Sequence, residues 1–340
     1  MPGRVTAVHS IAPRSAIEGG RVTIEGTGFP IDEPTLPEVR MGDALARVVF
    51  ASPTRLGVIV PAGLESGRVP VRVAGVSGAT LLLDVAALFA TGLHQVDNPV
   101  FDRDGNLYVT YSGSRGQQVP VSIFRVRPNG TREAFSSGIV NPTSMAIGPD
   151  NRLYVSSRFE GTVYRVAPDG AVEPFATDLG VACGLAFAPD GGLFVGDRSG
   201  TIFRVDRDGK TTTIATLPPS VAAFHLAVSP DRALYVTGPT LSSYDALYRI
   251  DPDSPPGDNV TTRHTGFGRP QGLAFDARGN LFVIEALAGA SGLYRMPSQG
   301  DPEMVLAGPG LVGVAFDSLG TIVVSSNDTA YRLTGGVTAA

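Results

Sequence analysis

Helix-period apolar stripes are almost absent from the 340 residues, which sets aside architectures built on long helices. Cysteine is nearly absent as well. Cys183 stands alone, so no intrachain disulfide and no cysteine-based zinc cluster can form, and the redox compartment is left open. Charge is sparse, at 17% of residues, and is not gathered into a basic surface. Up to Ala86 the chain carries 8 basic and 8 acidic residues, and beyond it 19 and 24, giving a net charge of -5. Nucleic-acid binding needs clustered positive charge to displace counterions from phosphates, so DNA and RNA are not expected partners. Lysine occurs once, at Lys210; all other basic side chains are arginine, the better bidentate partner for carboxylates. The start MPGRVTAVHS has no apolar h-region, and the greasiest stretch, LLLDVAALFA, is short and broken by Asp84. Neither a signal peptide nor a membrane span is read from it, so the expectation is a soluble, cytoplasmic protein without membrane insertion.

What is abundant points to strands and turns. Glycine (42) and proline (27) suit many short strands with tight connections, and the length calls for two domains or one domain plus a repeat array. From Val5 to Ala86 seven short alternating segments follow one another: VTAVHSI, RVTIEGTGF, PEVRMG, ARVVFAS, RLGVIVPAG, GRVPVRVAG and ATLLLDV. Their spacing predicts a sandwich, and Gly19-Gly20 and Gly26 to Gly28 fall where a strand must turn sharply. His9, alone on a strand, reads as a surface or packed residue.

The ordered run of Pro13, Gly19-Gly20, Gly26-Thr27-Gly28-Phe29, Gly42 and Pro61-Ala62-Gly63 resembles the IPT/TIG family of immunoglobulin-like domains. That resemblance implies an immunoglobulin-like sandwich over residues 1–86 serving as spacer or interaction module. It also implies a cell-surface or secreted location as the alternative to the cytoplasm.

Beyond Ala86 the chain repeats itself. DRDGNLYV, GPDNRLYV, APDGGLFV, SPDRALYV, DARGNLFV and DSLGTIVV share one pattern, with strand anchors at Leu107, Leu153, Leu193, Leu234, Leu281 and Ile322. The anchor spacing of 40 to 47 residues fits four-stranded propeller blades and predicts six of them over residues 87–340. An aromatic residue followed by arginine recurs at Arg125, Arg165, Arg204, Arg249, Arg295 and Arg332, read as an architectural brace between adjacent blades. The last repeat lacks an outer strand, whereas ALFATGL, upstream at Ala87–Leu93, matches PFATDLG. That strand is expected to complete the final blade and zip the two ends of the propeller together.

The array resembles the NHL and SMP-30/gluconolactonase superfamily of six-bladed propellers. Strands a and b of a blade are antiparallel, so the starts of strand a and the ends of strand b meet at the channel mouth. The first set supplies Asp97, Asn98, Thr143, Ser144, Cys183, Phe224, His225, Gln271 and Val312; the second supplies Tyr111, Arg158, Asp197, Glu285 and Asn327. Of these, Asn98, Tyr111, Ser144, Arg158, Gln271 and Asn327 are the expected binding residues. The gluconolactonase resemblance implies a divalent cation, calcium or zinc, at the mouth. This chain departs from the family's EGPxW and PNG-like motifs, with Asp97 in place of the glutamate and Cys183 and Phe224 in place of asparagines. Asp97, Asp197 and Glu285 are the remaining candidates for metal ligands, with Asp197 and Glu285 also candidates as acid and base. His225 is the candidate general base for a lactone or an eliminating substrate, the latter by resemblance to streptogramin lyase-like propellers. Cys183 has no recognisable partner and reads as a small buried hydrophobe. The preferred expectation is a monomeric binding protein that holds a small molecule or protein at the mouth. A gluconolactonase-like hydrolase is the alternative and a lyase the third.

Overall fold

The computed structural model describes residues 6–31, 36–78 and 80–333, and among them every regular element is a strand. In the N-terminal domain Arg21–Thr27 lies between Ala7–Ala12 and Arg55–Ile59, while Gly67–Val73 lies between Val39–Met41 and Leu81–Val85. Alternation does the sorting: Val22 and Ile24 turn inward and join Leu56, Val58, Val71, Leu83 and the fully buried Phe29 in one core. At Gly26 a Cβ would stand 2.3 Å from the Ala7 carbonyl oxygen and 2.5 Å from the Phe29 ring, so no side chain fits there.

The two-residue strand Ser15–Ala16 was not legible as a separate element. It pairs in parallel with Asp84–Val85 on one side and with Leu306–Ala307 of the repeat region on the other. Gly19 takes the left-handed turn expected of it, at φ 75°, but Gly20 is required for a different reason. A Cβ on Gly20 would sit 2.5 Å from the Ala307 carbonyl oxygen, so this glycine permits contact between the domains. Ile17 then buries its side chain among residues of the repeat region, including Leu306 and Leu311.

The repeat region is a propeller. Five separate four-stranded sheets cover residues 100–136, 142–176, 182–216, 225–267, and 311–333 together with Ala87–Thr91. Pro270–Phe275, Leu281–Glu285, Gly292–Met296 and Glu303–Ala307 also pair in series. They do not stand alone, because Ser15–Ala16 extends them into the sandwich as one thirteen-stranded sheet. Innermost strands touch in succession, and Leu311–Phe316 comes back against Val100–Phe101. Ala87–Thr91 pairs antiparallel with Thr329–Leu333, Leu88 opposite Tyr331 and Ala90 opposite Ala330, which buries Phe89 against Leu93, Leu107 and Val323.

The aromatic-arginine repeats brace their own sheets, not the neighbouring ones. Arg125 pairs with Glu133, Arg165 with Glu173, Arg204 with Asp190, Arg249 with Asp231 and Arg295 with Glu303, each within one sheet. Only Arg332 reaches another sheet, donating to the Pro128 carbonyl at 2.8 Å. The reason is local: an arginine on the third strand lies beside the adjacent strand or turn of the same sheet, and a carboxylate there is its nearest partner.

Candidate functional site

The starts of the innermost strands and the loops following the second strands surround a cavity of about 440 Å³ at one end of the ring. Arg115, Arg158 and Arg198 enter it from three consecutive sheets. Arg158 and Arg198 each follow the last residue of a second strand, whereas Arg115 sits in the longer loop after Leu107–Thr110. None of the three forms an ion pair among the described residues. Arg158 makes a long contact to the Ser112 hydroxyl at 3.4 Å, and Arg198 donates to the Ser220 carbonyl at 3.3 Å. Burial, and then the positive charges of Arg198 and Arg115, hold Arg158 below the usual guanidinium value, although it stays charged at neutral pH. His94 lines the same cavity; burial and the charge of Arg158 hold it below the ordinary imidazole value. The combination is a half-buried site whose three guanidinium groups have no carboxylate partner among the described residues.

Beneath the cavity the channel is filled. His225 Nδ1 lies 2.5 Å from Asp97 Oδ1, with the two side chains 0% and 2% exposed. The bond joins the first and fourth sheets in chain order, so it spans the channel. His225 Nε2 has no hydrogen-bond partner among the described residues. The repeats explain how so large a ring is accommodated. Positions equivalent to His225 hold Ser144, Gly184, Gly272 and Gly313, with Asn98 as the other sizeable occupant. A Cβ on Gly272 would lie 2.2 Å from Asn98 Oδ1, and one on Gly313 2.6 Å from the Asp97 carbonyl oxygen. Four small residues thus leave the centre to His225 and Asn98.

The structure places the remaining expected residues as follows. Arg158, Gln271 and Asn327 line the cavity, and Asn327 Nδ2 donates to the Gln95 carbonyl at 2.9 Å. Tyr111 stands edge-on to His94 with ring centroids 6.1 Å apart. Asn98 ties neighbouring innermost strands by donating to the Leu273 carbonyl and accepting from Val314 N–H. Ser144 accepts from Leu185 N–H in the same role.

Asp197 and Glu285 do not join Asp97. Asp197 accepts from Val181 N–H at 2.8 Å and from the Ser199 hydroxyl. Glu285 accepts from the N–H groups of Gly268, Arg269 and Leu287 at 2.6 to 2.9 Å. The loops entering each sheet, and for Leu287 the loop after the second strand, leave these amides without a backbone acceptor, and the carboxylates satisfy them. With those oxygens committed and Asp97 bound to His225, the donor set does not fit a divalent cation. No three His, Cys, Asp or Glu side chains are grouped as a metal would require among the described residues. Burial pushes the Cys183 thiol up to about 12, opposed in part by Arg158, so it is protonated and unreactive at neutral pH.

Sequence reasoning missed Arg115, Arg198, His94 and Gln95 as cavity residues. Register was the available signal for one of them: Arg198 follows Asp197 as Arg158 follows Ser157.

Comparison with known proteins agrees with this architecture. The IPT/TIG domain family matches residues 7–85. None of the curated proteins matches the chain. Among solved structures, an auxiliary nutrient binding protein from Bacteroides thetaiotaomicron VPI-5482 is similar over 98% of this chain and 98% of its own, with 13% identity and a TM-score of 0.56. A gluconolactonase from Xanthomonas campestris is similar over 72% of this chain and 88% of its own, with 18% identity and a TM-score of 0.57. A catalytically inactive virginiamycin B lyase from Staphylococcus aureus with quinupristin is similar over 98% of this chain and 96% of its own, with 14% identity and a TM-score of 0.51. At such identities the likeness is one of fold alone; this chain is all-β, with an IPT/TIG domain at residues 7–85 followed by a propeller.

Proposed function

We propose that this protein binds a small anionic molecule at the mouth of its propeller, with the sandwich over residues 1–86 as a fixed attachment and residues 87–340 as a six-bladed ring. The count of six takes 270–307 as a blade whose outer edge merges with the sandwich. One observation carries the binding reading: Arg115, Arg158 and Arg198 converge on one cavity without a carboxylate partner among the described residues. Like charges held together raise the energy of the empty site, and an anion relieves that repulsion while gaining charge-assisted hydrogen bonds. Gln271 and Asn327 supply neutral groups for orientation, and binding is to a monomer. The fold likeness to a nutrient binding protein is compatible with this reading.

The direct test is calorimetry at low ionic strength with sulfate, citrate and benzoate. An anion should bind, and Arg158→Met should weaken it about tenfold or more, the scale of one hydrogen bond to a charged group. No binding at millimolar concentration, or binding indifferent to that substitution, would overturn the proposal.

His94 adds a pH dependence. Its free-state pKa lies below the ordinary imidazole value, so it is neutral at pH 7. A bound anion favours the imidazolium, so affinity should rise as pH falls through the bound-state pKa and level off below the lower free-state one. With sulfate, which stays ionised throughout, an affinity that does not rise as pH falls from 7 would contradict this, and His94→Gln should abolish the rise.

A second reading has one observation in its favour. The Asp97 bond at His225 Nδ1 is the arrangement that leaves Nε2 as the basic nitrogen, as a hydrolase or lyase would need. It requires a substrate to reach a side chain with no exposed surface.

A further inference from the structure

The loops around the mouth carry a second feature that the arginines do not explain. Phe159 is 53% exposed, Leu241 94%, Tyr244 68% and Leu287 45%, with Val181 and Val221 also open to solvent. All six lie on loops of the mouth end. On the opposite end Leu319 is the exposed large apolar residue among the described loops. Phe159 adjoins Arg158 in sequence, and both line the cavity, as do Val181, Val221, Ala222 and Ala223. The loop bearing Leu241 and Tyr244 is tied to that wall, because Val221 N–H and the Ser220 hydroxyl both donate to the Pro239 carbonyl, at 2.8 and 3.0 Å. It is also braced internally, since Asp245 accepts from Thr240 N–H at 3.0 Å and from its hydroxyl at 2.6 Å. A held loop that presents leucine and tyrosine to water beside a cavity marks an interaction surface.

We infer that the ligand is amphipathic: a single small carboxylic acid with an aryl or alkyl body, its carboxylate on Arg115, Arg158 and Arg198 and its apolar part over the Val221–Ala223 wall towards Leu241 and Tyr244. This rests on the anion reading above and narrows it. Charge complementarity selects the carboxylate, the rim selects the apolar body, and a cavity of about 440 Å³ over a filled channel selects a small molecule in place of a chain segment.

Calorimetry with acetate, hexanoate, 4-phenylbutanoate and the uncharged 4-phenylbutanol, all below aggregating concentrations, tests it. Affinity should rise along the acids by roughly two- to fourfold per methylene that becomes buried. The double variant Leu241→Ser with Tyr244→Ser should weaken 4-phenylbutanoate about fivefold and leave sulfate unchanged. Acetate and sulfate binding as tightly as 4-phenylbutanoate would overturn the amphipathic inference while leaving the anion reading standing. The alcohol binding as well as the acid would overturn both. An unchanged affinity in the double variant, or binding only to acid presented in lipid vesicles, would remove the rim from the site.

Discussion

A chain that starts at Ala87 is expected to fold, and one that starts at Gly92 is not. The five residues between them form the outer strand that pairs with Thr329–Leu333, and they carry Phe89, buried at the junction with Leu107 and Val323. Losing a buried phenylalanine costs about 3 to 5 kcal/mol, comparable to much of a domain's net stability of about 5 to 15 kcal/mol. Its loss would also leave the pairing edge of Thr329–Leu333 open. The longer product loses the cover over Glu303–Ala307 and the side chains of Ile17 and Ala86 that pack on the ring. Circular dichroism melts and gel filtration of the two chains measure the contrast. Equal behaviour would mean that closure does not depend on this strand, and the boundary at 86/87 would lose its physical basis.

Asp97→Ala should be the most destabilising single change at the channel, by about 3 kcal/mol. Removing one member of a buried pair leaves the other without its partner, and here Nε2 of His225 has none among the described residues either. Asp97→Asn keeps an oxygen to accept from Nδ1 and should cost about 1 kcal/mol. Urea denaturation of the two variants, with His225→Leu and the double variant to complete a cycle, isolates the coupling. Identical unfolding midpoints for wild type and Asp97→Ala would show that the bond supports nothing.

The repeats were legible because propeller geometry imposes one register many times. Each predicted anchor, from Leu107 to Ile322, begins a second strand. The closing strand was legible for the same reason, since ALFATGL repeats a pattern set elsewhere. What escaped was whatever the repeat does not encode. Asp97 and His225 are 128 residues apart and meet only because the ring brings opposite strands together. Asp197 and Glu285 read as candidate metal ligands, since a sequence does not display which loop amides need acceptors. Arg115 lies in a loop longer than its counterparts in the other repeats, so register does not mark it. Ser15–Ala16 is too short for alternation to reveal, and its partner in the propeller lies almost 300 residues away.

That short strand has a mechanical consequence. The sandwich grips the ring at two points: through Ser15–Ala16 on the outer edge of the 270–307 strands, and through Ala86 leading directly into Ala87–Thr91 on the sheet beside them. Parting those two sheets would shear backbone hydrogen bonds on both grips at once. Breathing of the ring is therefore displaced to the seam at Val100–Phe101, where the innermost strand is only two residues long. Hydrogen exchange should find that seam the first to open.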